Sequence, residues 1–165
     1  MINNLVLRRL RYALNLREAQ IQHIFALAGF EIKPVTIAFL LKKEHEKDYV
    51  ECTDVVLEKF LDGLIIKHRG ARDDQPEKPK TQKVRLNNNI ILKKIRIALE
   101  LREEDLLDIM EKADFRFSKP ELSAFFRKPG SRNYKPCGDQ VMRNFLIGIC
   151  EKNRPSAKKN QQNKK

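Results

Sequence analysis

The chain has 165 residues, of which 41% are hydrophobic and 34% charged, and its formal net charge is +12. This composition fits a packed core under a charged surface, and it disfavours a membrane protein, a collagen-like chain and a disulfide-rich secreted module. The start of the chain lacks a basic stretch followed by an apolar core, so we expect no secretory signal and a cytoplasmic protein. Residues 154–165 carry five basic and no acidic side chains, whereas residues 1–69 and 86–153 are only mildly basic.

Apolar residues at helical spacing predict four short helices in residues 1–69. Asn3 and Asn4 are predicted to cap the first helix, Gly29 to end the second, Pro34 to begin the third, and Thr53 or Asp54 to cap the fourth. The expected inward positions are Leu7, Leu10 and Leu14, then Ile21, Ile24, Phe25 and Ala28, then Ile37, Leu40 and Leu41, and finally Leu57, Phe60, Leu61 and Leu64.

An internal repeat organises the chain. A shift of 85 residues aligns residues 3–69 on residues 88–154 without a gap, and 22 of the 67 pairs are identical. We therefore predict an all-α tandem duplication with four to five helices in each unit, the first unit at 1–69 and the second at 87–153. Residues 70–86 are polar and contain two prolines, which predicts a flexible linker, and residues 154–165 form a basic tail that we expect to be disordered.

The pattern Asn-Asn-x-x-Leu-Arg-Arg-Leu-Arg-Tyr-Ala-Leu at Asn3–Leu14 resembles the YehS-like family, a bacterial family of unknown function found as a tandem pair. Tyr49 with Cys52, and the runs 39–44 and 60–64, add to the likeness. The resemblance covers nearly the whole chain apart from the linker and the tail. It implies a bacterial two-repeat helical protein and supplies no activity.

The order of helices is also similar to repressor-type helix-turn-helix domains, in which residues 33–43 would form the recognition helix. The exposed candidates are Lys33, Thr36 and Lys43 in the first unit and Ser118, Lys119, Glu121 and Arg127 in the second. Residues 37–41 are all apolar, and the first unit offers no Arg, Asn or Gln to read base edges in this helix. The likeness therefore predicts a shared topology without base reading.

Basic side chains recur on the first helix of each unit and just after the third helix. They fit contacts to nucleic-acid phosphates, and they also fit an ordinary solvated face or charges that favour a helix C-terminus. The tail adds further basic residues, which fit either a nucleic-acid contact or a solubilising terminus. The candidate nucleic-acid contacts are Arg8, Arg9, Arg11, Lys42, Lys43, Lys93, Lys94, Arg96, Arg127, Lys128, Lys158 and Lys159.

No catalytic pattern stands out, so we expect a protein that is not an enzyme and holds no cofactor or metal. His23 and His68 align with Asp108 and Asn153, and no Ser-His-Asp set or glycine-rich phosphate loop is present. The equivalent cysteines Cys52 and Cys137 have no nearby Cys or His at zinc spacing in both units, so we interpret them as buried residues before a helix cap. The equivalent glycines at 63 and 148 indicate close helix packing.

Two functional hypotheses follow from the sequence. The first is a nucleic-acid-binding module, for DNA or RNA, that uses the basic helix faces and the basic tail. The alternative is an adaptor that docks a protein partner or a second copy through apolar third-helix surfaces around Phe39, Leu40, Phe125 and Phe126. Neither hypothesis involves a membrane.

Overall fold

A computed structural model of the chain describes residues 2–70 and 85–155. The described residues form eight α-helices and no strand, which confirms the all-α prediction. The helices are α1 (Asn3–Ala13), α2 (Glu18–Leu27), α3 (Pro34–Leu40), α4 (Asp54–Arg69), α5 (Asn88–Ala98), α6 (Glu103–Lys112), α7 (Lys119–Ala124) and α8 (Asp139–Asn153). None of these helices is both long and apolar enough to span a membrane. The predictions of a flexible linker and a disordered tail fall mostly on residues 71–84 and 156–165, which lie outside the described part.

The apolar positions predicted for the first unit line its core. Most are buried completely, and Leu14, Ala28 and Leu41 are partly buried at the edge of the core. The equivalent positions of the second unit behave in the same way. Helical periodicity therefore located the core face of every helix, because each helix buries a single apolar stripe.

Two glycines allow helices of the same unit to approach closely. A Cβ atom at Gly63 of α4 would overlap the Ile24 carbonyl oxygen of α2, well inside the 3.0 Å that real Cβ atoms keep. A Cβ atom at Gly148 of α8 would likewise overlap the Ile109 carbonyl oxygen of α6. The prediction of close helix packing at these glycines is confirmed, and the contact lies within each unit.

The two units share one continuous hydrophobic core. Helix α1 packs more extensively against α8 than against α4 of its own unit, and α5 likewise packs on α4 more than on α8. Exchange of the two units maps the α1–α8 contact onto the α5–α4 contact. The chain is therefore an intramolecular pseudo-dimer, in which the first helix of each unit lies against the last helix of the other.

Polar contacts support the packing between the units. The Asn153 side chain donates to the Ala13 carbonyl oxygen at 3.1 Å, and Lys94 of α5 forms an ion pair with Asp62 of α4. The C-terminal ends of α1 and α8 thus lie side by side.

The paired asparagines at the start of each unit do not cap the first helix, so that prediction is wrong. Helix α1 begins at Asn3, and the residue before it makes no side-chain cap. Asn4 is fully buried, and its amide nitrogen donates to the carbonyl oxygens of Leu40 at 2.9 Å and Val50 at 2.8 Å. Because the side chain leaves the first helical turn toward the segment between α3 and α4, it binds that segment rather than its own helix.

The same arrangement occurs in the second unit. The Asn89 amide nitrogen donates to the carbonyl oxygens of Phe125 and Lys135, each at 3.0 Å, and its oxygen accepts from the Cys137 backbone at 2.9 Å. Asn87, one residue earlier than the predicted pair, caps α5 by accepting from the Ile90 backbone. The repeated asparagine pair is therefore a clamp between the first helix and the loop before the last helix.

The third helix differs from the predicted recognition helix. It spans Pro34–Leu40, so Lys33 is its N-cap and Lys43 lies beyond its C-terminus. Six residues connect α2 to α3, more than the three or four of the turn in helix-turn-helix domains. The resemblance to repressor-type domains stays a prediction.

Candidate nucleic-acid interface

In the first unit, the first helix and the end of the third helix bring basic side chains together. Arg8 lies one turn after Asn4 on the same face of α1, and its guanidinium donates to the Lys42 carbonyl oxygen at 3.0 Å. The Lys42 ammonium donates to the Lys47 carbonyl oxygen at 2.8 Å. Arg11, one turn further along α1, and Lys43 are exposed. We call Arg8, Arg11, Lys42 and Lys43 cluster one.

The second unit repeats this arrangement with different side chains. Arg96 of α5 donates from Nε to the Leu101 carbonyl oxygen at 3.1 Å, and its guanidinium lies 4.6 Å from the centre of the Phe126 ring. Two exposed cations follow that ring in the chain, and Lys93 is exposed one turn before Arg96. We call Lys93, Arg96, Arg127 and Lys128 cluster two.

The eight cations of the two clusters form no ion pair with any residue in 2–70 or 85–155. Acidic side chains are paired elsewhere in the described part. Lys152 of α8 pairs with Asp105 and Asp108 of α6, and Lys112 also pairs with Asp108. The cations of the clusters are therefore not ion-paired with a described carboxylate, although the Glu46 carboxylate accepts from the Lys43 backbone at 3.2 Å.

Two candidate residues lie where the first helix of one unit packs against the last helix of the other. Lys94 pairs with Asp62, and its side chain is only 16% exposed. Arg9, the equivalent of Lys94, lies at the α1–α8 contact, where its carbonyl oxygen accepts from the Cys150 thiol at 3.5 Å. The ion pair takes Lys94 out of cluster two, whereas the Arg9 side chain is exposed on the side of α1 that faces α8. The remaining candidates, Lys158 and Lys159, lie outside the described residues.

The third-helix surface proposed for an adaptor is largely covered. Leu40 and Phe125 are each only 2% exposed. Phe39 and Phe126 are partly buried, and cations lie over both rings, with the Lys42 ammonium 5.4 Å from the Phe39 ring centre. The apolar groove that the adaptor hypothesis expects is therefore largely closed, since two of its four residues are buried and cations lie over the rings of the other two.

The equivalent cysteines are buried, as the sequence predicted. Burial, with the nearby Asp54 carboxylate as a smaller cause, raises the pKa of Cys52 to about 12. Burial also raises the pKa of Cys137 to about 11. Both thiols are therefore protonated at neutral pH, and protonated thiols are poor nucleophiles and poor metal ligands. Within the described ranges, no three His, Cys, Asp or Glu side chains lie close enough together to hold a metal ion.

A polar cavity between the units was not foreseen from the sequence. It has a volume of about 330 Å³, and equivalent residues of both units line it. Asn3 donates to the Asp54 carboxylate at 2.8 Å, and Asn88 donates to the Asp139 carboxylate at the same distance. The second of these bonds holds the pKa of Asp139 below its ordinary value.

The two acids of this cavity lie in the first turns of α4 and α8. Thr53 caps α4, as predicted, whereas Gly138 precedes α8 without a side-chain cap. Asp54 accepts from the Leu86 backbone at 3.1 Å, which ties the start of α4 to the segment that leads into α5. The signal for this junction was the recurrence of the same asparagine and aspartate in both copies.

Comparison with known proteins places the chain in a family. The family described as "Protein of unknown function (DUF1456)" matches twice, at residues 3–70 and 88–154. The chain is similar to "Uncharacterized protein YehS" of Escherichia coli (strain K12), with 41% identity over 149 residues that cover 90% of this chain and 94% of that protein. No solved structure matches the chain. The chain therefore belongs to the DUF1456 family, and its two family matches coincide with the two halves of the pseudo-dimer.

Proposed function

We propose that this protein is a non-enzymatic, cytoplasmic nucleic-acid-binding protein that holds the phosphate backbone through cluster one and cluster two. The observation that carries the proposal is the set of eight cations at equivalent places in the two units, none of them in an ion pair with a described residue. Cations without carboxylate partners gain most from phosphate oxygens, because binding then breaks no existing ion pair.

Several of these cations are held in place before any ligand arrives. Arg8 is fixed by the Lys42 carbonyl oxygen, and Arg96 by the Leu101 carbonyl oxygen and the Phe126 ring. Side chains that are already ordered lose less conformational entropy on binding. If all eight cations contact phosphates, the logarithm of the binding constant falls with the logarithm of salt concentration with a slope of about −7.

The third helices offer little for reading base sequence. Val35 is the large exposed side chain of α3, and it has no hydrogen-bonding group. In the second unit, the Glu121 carboxylate accepts from the Ser118 hydroxyl at 2.8 Å within a capping box. We therefore expect phosphate contacts to dominate and sequence preference to be weak.

The buried thiols support a binding role over covalent catalysis. A nucleophilic cysteine needs a lowered pKa and access to solvent, and Cys52 and Cys137 have neither.

Fluorescence anisotropy with labelled duplex DNA and single-stranded RNA, at two salt concentrations, tests the proposal. The cluster-one variant carries Arg11→Glu with Lys43→Glu, and the cluster-two variant carries Lys93→Glu with Lys128→Glu. The matched control, Lys67→Glu with Arg116→Glu, makes the same charge change at exposed sites outside the clusters and outside the candidate recognition helices. All variants keep the full chain.

We expect micromolar or tighter binding that weakens with salt, a loss of about tenfold or more in each cluster variant, and a much smaller loss in the control. Equal losses in the cluster variants and the control would overturn the proposal. A further variant, with the tail lysines at 158, 159, 164 and 165 changed to Gln, separates the tail from the units. Binding that disappears in this variant alone would also overturn the assignment to the clusters.

A further inference from the structure

We infer, resting on the proposed function, that the ligand is double-stranded nucleic acid and that both clusters of one chain hold the same duplex. The two clusters occupy equivalent places in a pseudo-dimer, so the pseudo-two-fold axis that exchanges the units also exchanges the clusters. The phosphates of a duplex are themselves related by two-fold axes, and two-fold protein assemblies match these axes when they bind. A single strand has no such symmetry.

The aromatic residues point to the same choice. Proteins that bind single strands without sequence preference stack bases on exposed aromatic rings. The chain has nine Phe, three Tyr and no Trp, and all twelve rings lie in the described ranges. Of these, Tyr12 alone is exposed, and the Arg154 guanidinium lies 4.3 Å from the centre of its ring.

The rings nearest the clusters are also occupied. Lys42 lies over Phe39 and Arg96 lies over Phe126, so each of these rings already has a cation on one face. In the neighbouring loop, the half-buried Tyr49 donates its hydroxyl to the Asn4 side chain at 2.9 Å. The clusters therefore present cations for phosphates without a stacking platform for bases, which favours a ligand whose bases are already stacked in a duplex.

The test compares four labelled ligands of one arbitrary sequence and about 20 nucleotides per strand, namely duplex DNA, duplex RNA and one single strand of each. Anisotropy gives the affinity of the full chain for each ligand at the same salt concentration. A titration at concentrations well above the dissociation constant gives the number of duplexes bound to each chain. The cluster-one variant, the cluster-two variant, their combination and the Lys67/Arg116 control are measured with every ligand.

We expect at least one duplex to bind about tenfold or more tightly than its single strand, with one duplex per chain. The combined variant should lose roughly the product of the two separate losses, because both clusters contribute to one complex. If duplex DNA binds more tightly than duplex RNA, the natural ligand is duplex DNA, and the opposite order indicates duplex RNA.

Two results would overturn this inference while the proposed function stands. One is single-strand binding as tight as duplex binding and still dependent on the clusters. The other is two duplexes bound to each chain, one at each cluster. Absence of binding to all four ligands, or binding that the cluster variants do not change, would overturn both the inference and the proposed function.

Discussion

The asparagine clamp of the first unit makes a quantitative prediction for stability. Asn4 has no exposed surface, and its side chain makes four hydrogen bonds. Its nitrogen donates to one carbonyl oxygen at the end of α3 and to one in the segment between α3 and α4. Its oxygen accepts from the Tyr49 hydroxyl and the Cys52 backbone, each at 2.9 Å. The substitution Asn4→Ala removes all four bonds, of which two are buried and two are partly buried, and leaves their polar partners without this side chain.

The expected cost follows from these bonds. A hydrogen bond contributes about 1 kcal/mol net, and a buried partner that loses its bond costs about 1–3 kcal/mol, so the loss of four predicts a destabilisation of about 4 kcal/mol. A domain has about 5–15 kcal/mol of stability in total, so this is a large fraction. Tyr49→Phe removes one of the four bonds and should cost about 1 kcal/mol. Asn133→Ala, at an exposed loop position, should cost less than about 0.5 kcal/mol.

Chemical denaturation followed by far-ultraviolet circular dichroism measures these differences in the full chain. The expected order of destabilisation is Asn4→Ala, then Tyr49→Phe, then Asn133→Ala, with similar denaturant dependence for all of them. If Asn4→Ala costs no more than Asn133→Ala, the clamp does not hold the loop, and the reasoning about the repeated asparagines is refuted.

Three further predictions concern packing and ionisation. Gly63→Ala should lower the stability by several kcal/mol in the same denaturation assay, because its Cβ would overlap the α2 backbone. Gly138→Ala has free space for the Cβ but replaces the N-cap of α8, so it should cost about 1 kcal/mol or less. The pKa of Cys52 is raised by burial from 9.0 to about 12, so the folded state holds its proton more tightly than the unfolded state. The resulting stabilisation is complete below about pH 9 and is lost as the pH rises toward 12, and a titration of stability over that range should show a steeper decline in the parent than in Cys52→Ala. The ion pair of Lys94 with Asp62 joins the units. A double-mutant cycle with alanine at both positions should give a coupling energy of about 0.5–1 kcal/mol. A coupling energy of zero would show that the pair does not stabilise the pseudo-dimer.

The helices and most of the core could be predicted because their signals are local. The spacing of Leu7 and Leu10, or of Phe60 and Leu64, depends only on the period of an α-helix. The internal repeat strengthened each assignment, since the second copy shows the same pattern with other residues. The glycines at 63 and 148 were also interpretable, because a glycine inside a helix is costly and its recurrence demands a packing reason.

Contacts between distant segments could not be predicted in the same way. The role of Asn4 depends on partners 36 to 48 residues away, so its position beside a helix start suggested a cap instead. The repeat shows that two units exist, but not that the first helix of each packs on the last helix of the other. The inter-unit ion pair is not repeated either, since the equivalents of Lys94 and Asp62 are Arg9 and Ile147.

The candidate site was predictable in composition and only partly in geometry. The basic residues are plain in the sequence, but neighbours such as Arg8 and Arg9 point to different surroundings. Arg8 shares a face with the buried Asn4 and therefore reaches the end of α3, whereas Arg9 lies at the contact with α8. The position of Asn4 one turn before Arg8 is the sequence signal that distinguishes the two arginines, once the burial of Asn4 is known.

The salt dependence of duplex binding tests the central claim most directly. We predict that the full chain binds the tighter of the two duplexes with a slope of log affinity against log salt of about −7. Each two-residue cluster variant should reduce the magnitude of this slope by about 2, while the Lys67/Arg116 control leaves it unchanged. Absence of duplex binding at low salt, or a slope that is the same in the parent and both cluster variants, would contradict the account.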